Sequence, residues 1–277
     1  MDLGIAGRKA IVCASSRGLG RACALALAQA GCEVVINGRD HKALETAARD
    51  LRKASGANVH AVAADVATPE GQAALLAACP ASDILVNNNA GPPFRDFRQL
   101  NRAQMIDGVI ANMIVAIELT QKVIDSMAAK QFGRIVNITS GSVKMPLAGL
   151  DLSSGARAGL TAFLAGVARS VAASNVTINF LLPGTFDTER LQSNIEANAR
   201  NKGISFEQAK SERIATVPAR RFGNPDEFGA ACAFLCSAHA GYITGQNILI
   251  DGGAFPGVMY GGETSKAGSR RPRRTPR

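Results

Sequence analysis

The chain has 277 residues, 47% of them hydrophobic, enough for one large α/β domain or two small ones. Its net charge of +9 is mainly terminal: Lys266, Arg270, Arg271, Arg273, Arg274 and Arg277 against Glu263 give +5 in the last 17 residues, leaving +4 for the other 260. No unbroken apolar run reaches the ~18 residues of a membrane span, and Met1–Gly4 lacks the basic and apolar parts of a signal peptide, so a cytoplasmic protein without membrane contact is expected.

The first element runs from Ala10 to Cys13, an unbroken apolar stretch suited to a strand covered on both faces. Ala14, Ser15, Ser16, Arg17, Gly18, Leu19 and Gly20 follow as a small-residue loop, and Arg21 to Ala30 reads as a helix closed by Gly31. Such a loop lets a flat ligand approach the backbone. The helix N-terminus beneath it offers unpaired N–H groups and a positive dipole end to a pyrophosphate. Glu33 to Asn37 is a second strand, and Asp40 is placed to cap a helix from His41 to Lys53. Asn58 to Ala63 is a third strand ending at Asp65 and Val66, and Pro69 opens a short helix. Asp83 to Val86 is a fourth strand, running into Asn87, Asn88, Asn89, Ala90 and Gly91.

A long helical pattern covers Ala103 to Lys130, then a fifth strand Gly133 to Ile138, a polar corner at Thr139–Ser142 and a helix over Leu152 to Ala173. Val176 to Leu182 is a sixth strand, broken at Pro183 and Gly184. Residues 185–217 read as polar and irregular with helical patches, long enough to act as a lid. A helix starts at Asn224–Glu227, and Gln246 to Ile250 is a seventh strand closed by Asp251, Gly252 and Gly253. Strands and helices alternate throughout, which predicts one doubly wound parallel sheet of about seven strands, with ligand at the strands' carboxyl ends. Cys13, Cys23, Cys32, Cys79, Cys232 and Cys236 form no Cys-x-x-Cys pair and have no histidines at zinc spacing; they read as reduced small hydrophobes, with no metal site. Residues 261–277 read as a disordered basic tail beyond a 1–260 domain. The tail has no aromatic platform for bases, so nucleic acid is not an expected partner.

These motifs, in this order, resemble the short-chain dehydrogenase/reductase family, and within it the 3-oxoacyl-(acyl-carrier-protein) reductase-like members, over Leu3 to Gly253. The family's Thr-Gly-x-x-x-Gly-x-Gly turn matches Cys13 to Gly20, with Ala14 in place of the first glycine. Its Asp-Val matches Asp65 and Val66, its Asn-Asn-Ala-Gly matches Asn88, Asn89, Ala90 and Gly91, and its helix Asn matches Asn112. Its Pro-Gly matches Pro183 and Gly184 with Thr188 close by, and its Asp-Gly-Gly matches Asp251 to Gly253. The resemblance implies a Rossmann-type fold, a bound nicotinamide dinucleotide and a homo-oligomer, tetramer or dimer, through the two long helices. NAD-preferring members carry an Asp where this chain has Gly38. Arg17 and Arg39, with no carboxylate at that position, suit the 2′-phosphate of NADP(H) in preference to NAD(H). The implied substrate is a small ketone or a 3-oxoacyl thioester.

The family reduces carbonyls with a Ser, a Tyr and a Lys supported by the helix Asn. Ser140 fits the serine. The Tyr position, thirteen residues on, is Ser153, and the Lys position is Arg157; Ala156, Ala158, Gly159 and Leu160 hold the register. Arg157 can still carry charge and bond a ribose, but an alcohol is a far weaker acid than a phenol. An atypical proton donor is therefore expected: water held by Ser153 and Asn112, Lys144, or Tyr260. Tyr242, the other tyrosine, is expected to pack structurally. The alternative is a non-catalytic NADP(H)-binding sensor or oligomer partner. This Ser-and-Arg variant resembles a recurring reductase-like subgroup with an imperfect tetrad, through Val143, Pro146, Leu152–Leu160 and Leu182–Thr188.

Overall fold

The computed structural model describes residues 2–92 and 94–257. The tail at 261–277 and Tyr260 lie outside the described residues. The seven strands are β1 (Lys9–Val12), β2 (Glu33–Gly38), β3 (Val59–Ala63), β4 (Ile84–Asn87), β5 (Gly133–Ile138), β6 (Val176–Pro183) and β7 (Asn247–Ile250). They form one parallel sheet in the order β3-β2-β1-β4-β5-β6-β7. The order reverses beside β1, between β2 and β4, so a crevice opens over the carboxyl end of β1.

Period-two alternation distributes each strand between two cores. Val12, Val34, Ile36, Ile84 and Val86 join the core under α1 (Gly18–Gln29), α2 (His41–Ser55) and α9 (Pro225–Cys236). Ile11, Val35, Leu85, Ile135 and Ile178 join the opposite core with α3 (Pro69–Ala78), α5 (Val115–Ala129) and α6 (Asp151–Val171). All six cysteines are buried and free; burial pushes the thiols of Cys13 and Cys32 up to about 12. On β5 the fully buried Arg134 is satisfied by carbonyls: its Nε donates to Ser237 O at 3.0 Å and its Nη1 to Asn175 O at 2.8 Å.

Three expectations need correction. The pattern over Ala103 to Lys130 is not one uniform helix: α4 (Arg102–Val109) and α5 are joined by a π-helical turn at Ile110–Ile114. By length and composition this whole stretch, Arg102–Ala129, could cross a membrane. Here Leu119, Val123 and Met127 pack into the core, and Glu118 accepts from Gln72 Nε2 at 2.7 Å. Residues 185–217 are ordered, as α7 (Glu189–Lys202) and α8 (Phe206–Ala215), because Ile195, Ala199 and Ala209 give the pair a small core of its own. Tyr242 does not pack; it is fully exposed in the turn before β7, where the backbone runs over the surface.

Candidate active site

The crevice begins at the β1–α1 loop. Ser15 Oγ donates to Val12 O at 2.6 Å and accepts from Asn37 N at 3.0 Å, which ties the loop to β2. Ala14, where the family has glycine, is held at φ +44°, a left-handed conformation that strains an L residue. Its carbonyl accepts from Asn88 Nδ2 at 3.0 Å, locking the loop to the segment after β4. A β-carbon built on Gly20 would lie 2.4 Å from Ala14 O and 2.8 Å from Asn88 Nδ2, so only glycine fits this crossing. Helix α1 has Arg17 as N-cap with no side-chain cap and no acidic residue in its first turn, so its leading N–H groups stay open to an anion.

At the adenosine end, both rim arginines stand near carboxylates. A β-carbon on Gly38 would already stand 3.3 Å from Ser16 Oγ, so the position has little room for a carboxylate side chain. Asp40 is occupied as the cap of α2, accepting from Ala43 N at 3.1 Å. Asp65 Oδ1 accepts from Ala67 N at 2.9 Å, and Arg39 Nη1 stands 3.8 Å from Asp65 Oδ2. Arg17 Nη1 lies 3.4 Å from Glu189 Oε2 across the crevice. Both guanidinium groups are largely exposed at the rim. Small residues, open N–H groups and rim arginines thus fit a phosphorylated dinucleotide.

At the other end, the π-helical turn carries Asn112 inward. Its Nδ2 donates to Gly108 O at 3.0 Å, while its Oδ1 is buried without a partner. Asn89 Nδ2 donates to Ala111 O at 3.2 Å, so the β4 loop is pinned beside that turn. Ser140 is the N-cap of a short 3₁₀ turn at Gly141–Val143 and accepts from Ser142 N at 3.1 Å. Ser153 and Arg157 are both buried on α6, and Arg157 Nε donates to Ser153 Oγ at 3.2 Å. Arg157 Nη1 donates to Ile138 O at 3.1 Å and Thr139 O at 2.5 Å, at the carboxyl end of β5. Burial lowers the Arg157 pKa to about 10, with the positive Arg190 adding to the effect.

These residues border two spaces. A niche of about 20 Å³ is lined by Asn87, Asn88, Asn89, Asn112 and Arg157. A cavity of about 300 Å³ is lined by Gly91, Arg95, Gln104, Asp107, Asn112 and Ser153, among others. Ser140 lines neither; it is joined to Arg157 only through the neighbouring Thr139 carbonyl. Lys144 is exposed and lines neither space. Thr188 caps α7 by accepting from Leu191 N at 3.3 Å, and a β-carbon on Gly184 would stand 2.6 Å from Asp251 Cα, so the Pro-Gly and Asp-Gly-Gly motifs pack on each other. Gln104, Asp107 and Arg95 were not among the expected site residues. Gln104 had a signal: it precedes Gly108 and Asn112 at four-residue spacing, on one helix face.

The family model described as enoyl-(acyl carrier protein) reductase matches residues 13–254. The chain is a short-chain dehydrogenase/reductase. Among the relatives of this short-chain dehydrogenase/reductase is the NADPH-dependent reductase BacG of Bacillus subtilis, 31% identical over 256 residues, covering 91% of this chain and 99% of that one. The 3-oxoacyl-[acyl-carrier-protein] reductase FabG of Vibrio cholerae is 32% identical over 257 residues, covering 91% and 99%. Among solved structures, L-sorbose reductase from Gluconobacter frateurii in complex with NADPH and L-sorbose superposes with a TM-score of 0.88 at 28% identity, covering 93% of this chain and 100% of that one.

Proposed function

We propose that this chain is an NADP(H)-dependent oxidoreductase that reduces a ketone, with 3-oxoacyl thioesters as the first substrate class. The observation that carries this reading is the buried Ser153–Arg157 pair beside Asn112, with Ser153 and Asn112 lining a 300 Å³ cavity next to an uncapped, glycine-lined crevice. The names of the relatives support NADPH and the 3-oxoacyl class.

In this reading Ala14–Gly20 receive the phosphates, with Arg17 and Arg39 at the 2′-phosphate, and Asp65 and Val66 hold the adenine. Asn89, Ala90, Gly91, Pro183, Gly184 and Thr188 line the nicotinamide half. The reduced nicotinamide supplies the hydride. Ser140, which lines neither space, takes its role at the carbonyl oxygen from the family's pattern alone, and one hydrogen on Arg157 Nη2 orients the ribose. Ser153 and the partnerless Asn112 Oδ1 hold a water that delivers the proton a phenol would otherwise supply. Binding and positioning, more than acid strength, carry the rate.

A second reading has its own observation. Three of the five donors on Arg157 already brace Ser153 and the β5 carbonyls, as a structural residue would. That suits a non-catalytic NADP(H) sensor. One assay separates the two: purified protein with NADPH and a panel of 3-oxoacyl thioesters, quinones and diketones, following loss of nicotinamide absorbance. Turnover supports the reductase. Tight NADPH binding without turnover supports the sensor, and no binding of either coenzyme at millimolar levels rejects both.

We also propose a cytoplasmic homo-oligomer, tetramer or dimer. On α6, Ala162, Phe163 and Gly166 are exposed, an apolar, small-residue face that permits close helix contact. A monomer by light scattering at micromolar concentration would reject this.

A further inference from the structure

Glu189 and Arg17 stand on opposite banks of the crevice, in the first turn of α7 and at the cap of α1. Arg17 Nη1 lies 3.4 Å from Glu189 Oε2. Among the described residues this is the one ion pair that joins α7 and α8 to the rest of the molecule. Lys202 and Glu212, paired at 2.7 Å, both lie within the two helices.

The two helices form a small body of their own. Ile195, Ala199 and Ala209 make its core, with Leu191, Ile204 and Phe206 packed on it. The chain that leads into it is anchored: Phe186 bridges to Gly223 and packs edge-on against Phe228 at 5.3 Å. Arg213 Nη2 donates to Thr185 Oγ1 at 3.1 Å beside that anchor. Across the crevice, the other side-chain bond from α7 among the described residues is Arg190 Nη2 to Gly91 O, at a weak 3.5 Å. The hold on the crevice therefore rests mainly on Glu189. Both members of its ion pair are largely exposed, 77% and 78%, so the pair is weak and easily exchanged.

Arg17 has a second claimant, because the reductase reading sets it at the 2′-phosphate of the coenzyme. A guanidinium has donors enough for two anions. A phosphate and the Glu189 carboxylate on the same guanidinium would nevertheless repel each other at short range. Arg17 thus serves one of them at a time. Arg39 differs, since its neighbour Asp65 follows β3 and accepts from Ala67 N, so no separate body hangs on that pair.

We infer that Glu189 stands in for the 2′-phosphate in the coenzyme-free chain, latching α7 and α8 across the crevice until a phosphorylated coenzyme takes Arg17 from it. This inference rests on the placing of Arg17 at the 2′-phosphate and adds a consequence to it. NADP(H) would release the two helices, whereas NAD(H), which has no group to displace Glu189, would leave the latch made. The chain would then tell the coenzymes apart by a movement as well as by affinity.

The test needs no turnover. Backbone hydrogen exchange in α7 is compared for the free protein, for its complex with adenosine 2′,5′-bisphosphate and for its complex with adenosine 5′-monophosphate, at equal occupancy. The bisphosphate should speed exchange about threefold, the size expected for losing one exposed ion pair, and the monophosphate should not. Free Glu189→Gln should already exchange at the faster rate. So should Glu189→Asp, which keeps the charge at the helix N-terminus but withdraws the carboxylate. Calorimetry supplies the second arm: Glu189→Gln should tighten NADPH about threefold more than NADH, and an Arg17→Gln background should erase that difference. An equal change for both coenzymes would overturn the latch, since Glu189 would then act only as a general negative charge. Unaltered exchange in α7 with the bisphosphate would overturn it too. NADPH binding that is indifferent to Glu189 removes the latch alone, whereas failure of both coenzymes to bind removes the coenzyme reading with it.

Discussion

Arg157 Nε donates to Ser153 Oγ at 3.2 Å, so the residues standing where the family has its Lys and Tyr are bonded to each other. The pair is buried, and its far end is anchored to the carbonyls of Ile138 and Thr139. A phenol at 153 would reach further into the cavity than a serine hydroxyl, and a lysine at 157 would carry its three donors on one nitrogen, where Arg157 divides them between Nε and Nη1.

Ser153→Tyr with Arg157→Lys should therefore raise ketone reduction, by on the order of 100-fold in kcat if the remaining site is competent. Stopped-flow loss of NADPH absorbance measures it. No gain would mean that the cavity is built for other chemistry.

Gly20 crosses Ala14 O and Asn88 Nδ2 with no space for a methyl group. Gly20→Ala should push the phosphate loop away from the β4 segment and weaken NADPH binding at least about tenfold, because the open N–H groups would no longer share one anion. Fluorescence titration with NADPH checks this; unchanged affinity would show that the crevice is not the phosphate site.

Ala14 at φ +44° carries strain that glycine would not. Ala14→Gly should raise unfolding free energy by roughly 1 kcal/mol, the left-handed penalty less the extra entropy of glycine in the unfolded chain. Urea unfolding at fixed pH measures it.

Glu227 closes a capping box on α9 and pairs with Arg221 at 2.7 Å. Bonding to Arg221, then to the Asn224 backbone, holds its carboxyl down at about 2, against an ordinary 4.5. A depressed folded pKa contributes stability that is complete above 4.5 and fades as pH falls toward 2. Both side chains are exposed, so screening keeps the effect small. Glu227→Gln should flatten the acid limb of stability between those values, read as urea midpoints against pH, and leave the limb above it unchanged in slope.

Much of this molecule was legible from residue order. Apolar runs bounded by glycine, proline and capping residues are local signals, and they located all seven strands and the loops at their carboxyl ends. Ser153 and Arg157 could be placed because the resemblance sets the family's tyrosine thirteen residues beyond its serine, here Ser140, and the flanking small residues held the register. The helices at 189–215 were obscured because their apolar residues are few and face only each other. The π-helical turn at Asn112 was invisible, since an extra residue in a helix leaves the surrounding pattern almost unchanged.

By itself, then, the sequence determined the parallel sheet and the small-residue turn after β1, because apolar runs and glycines are local signals, and its resemblance to the family showed a serine where the phenol would stand. Only the tertiary structure decided where the charges go. That Arg157 leans on β5, that Asn112 Oδ1 is left without a partner, and that Arg190 meets Gly91 from 99 residues away depend on how separate elements pack. No local pattern encodes such meetings, since burial and electrostatics act through space and not along the chain.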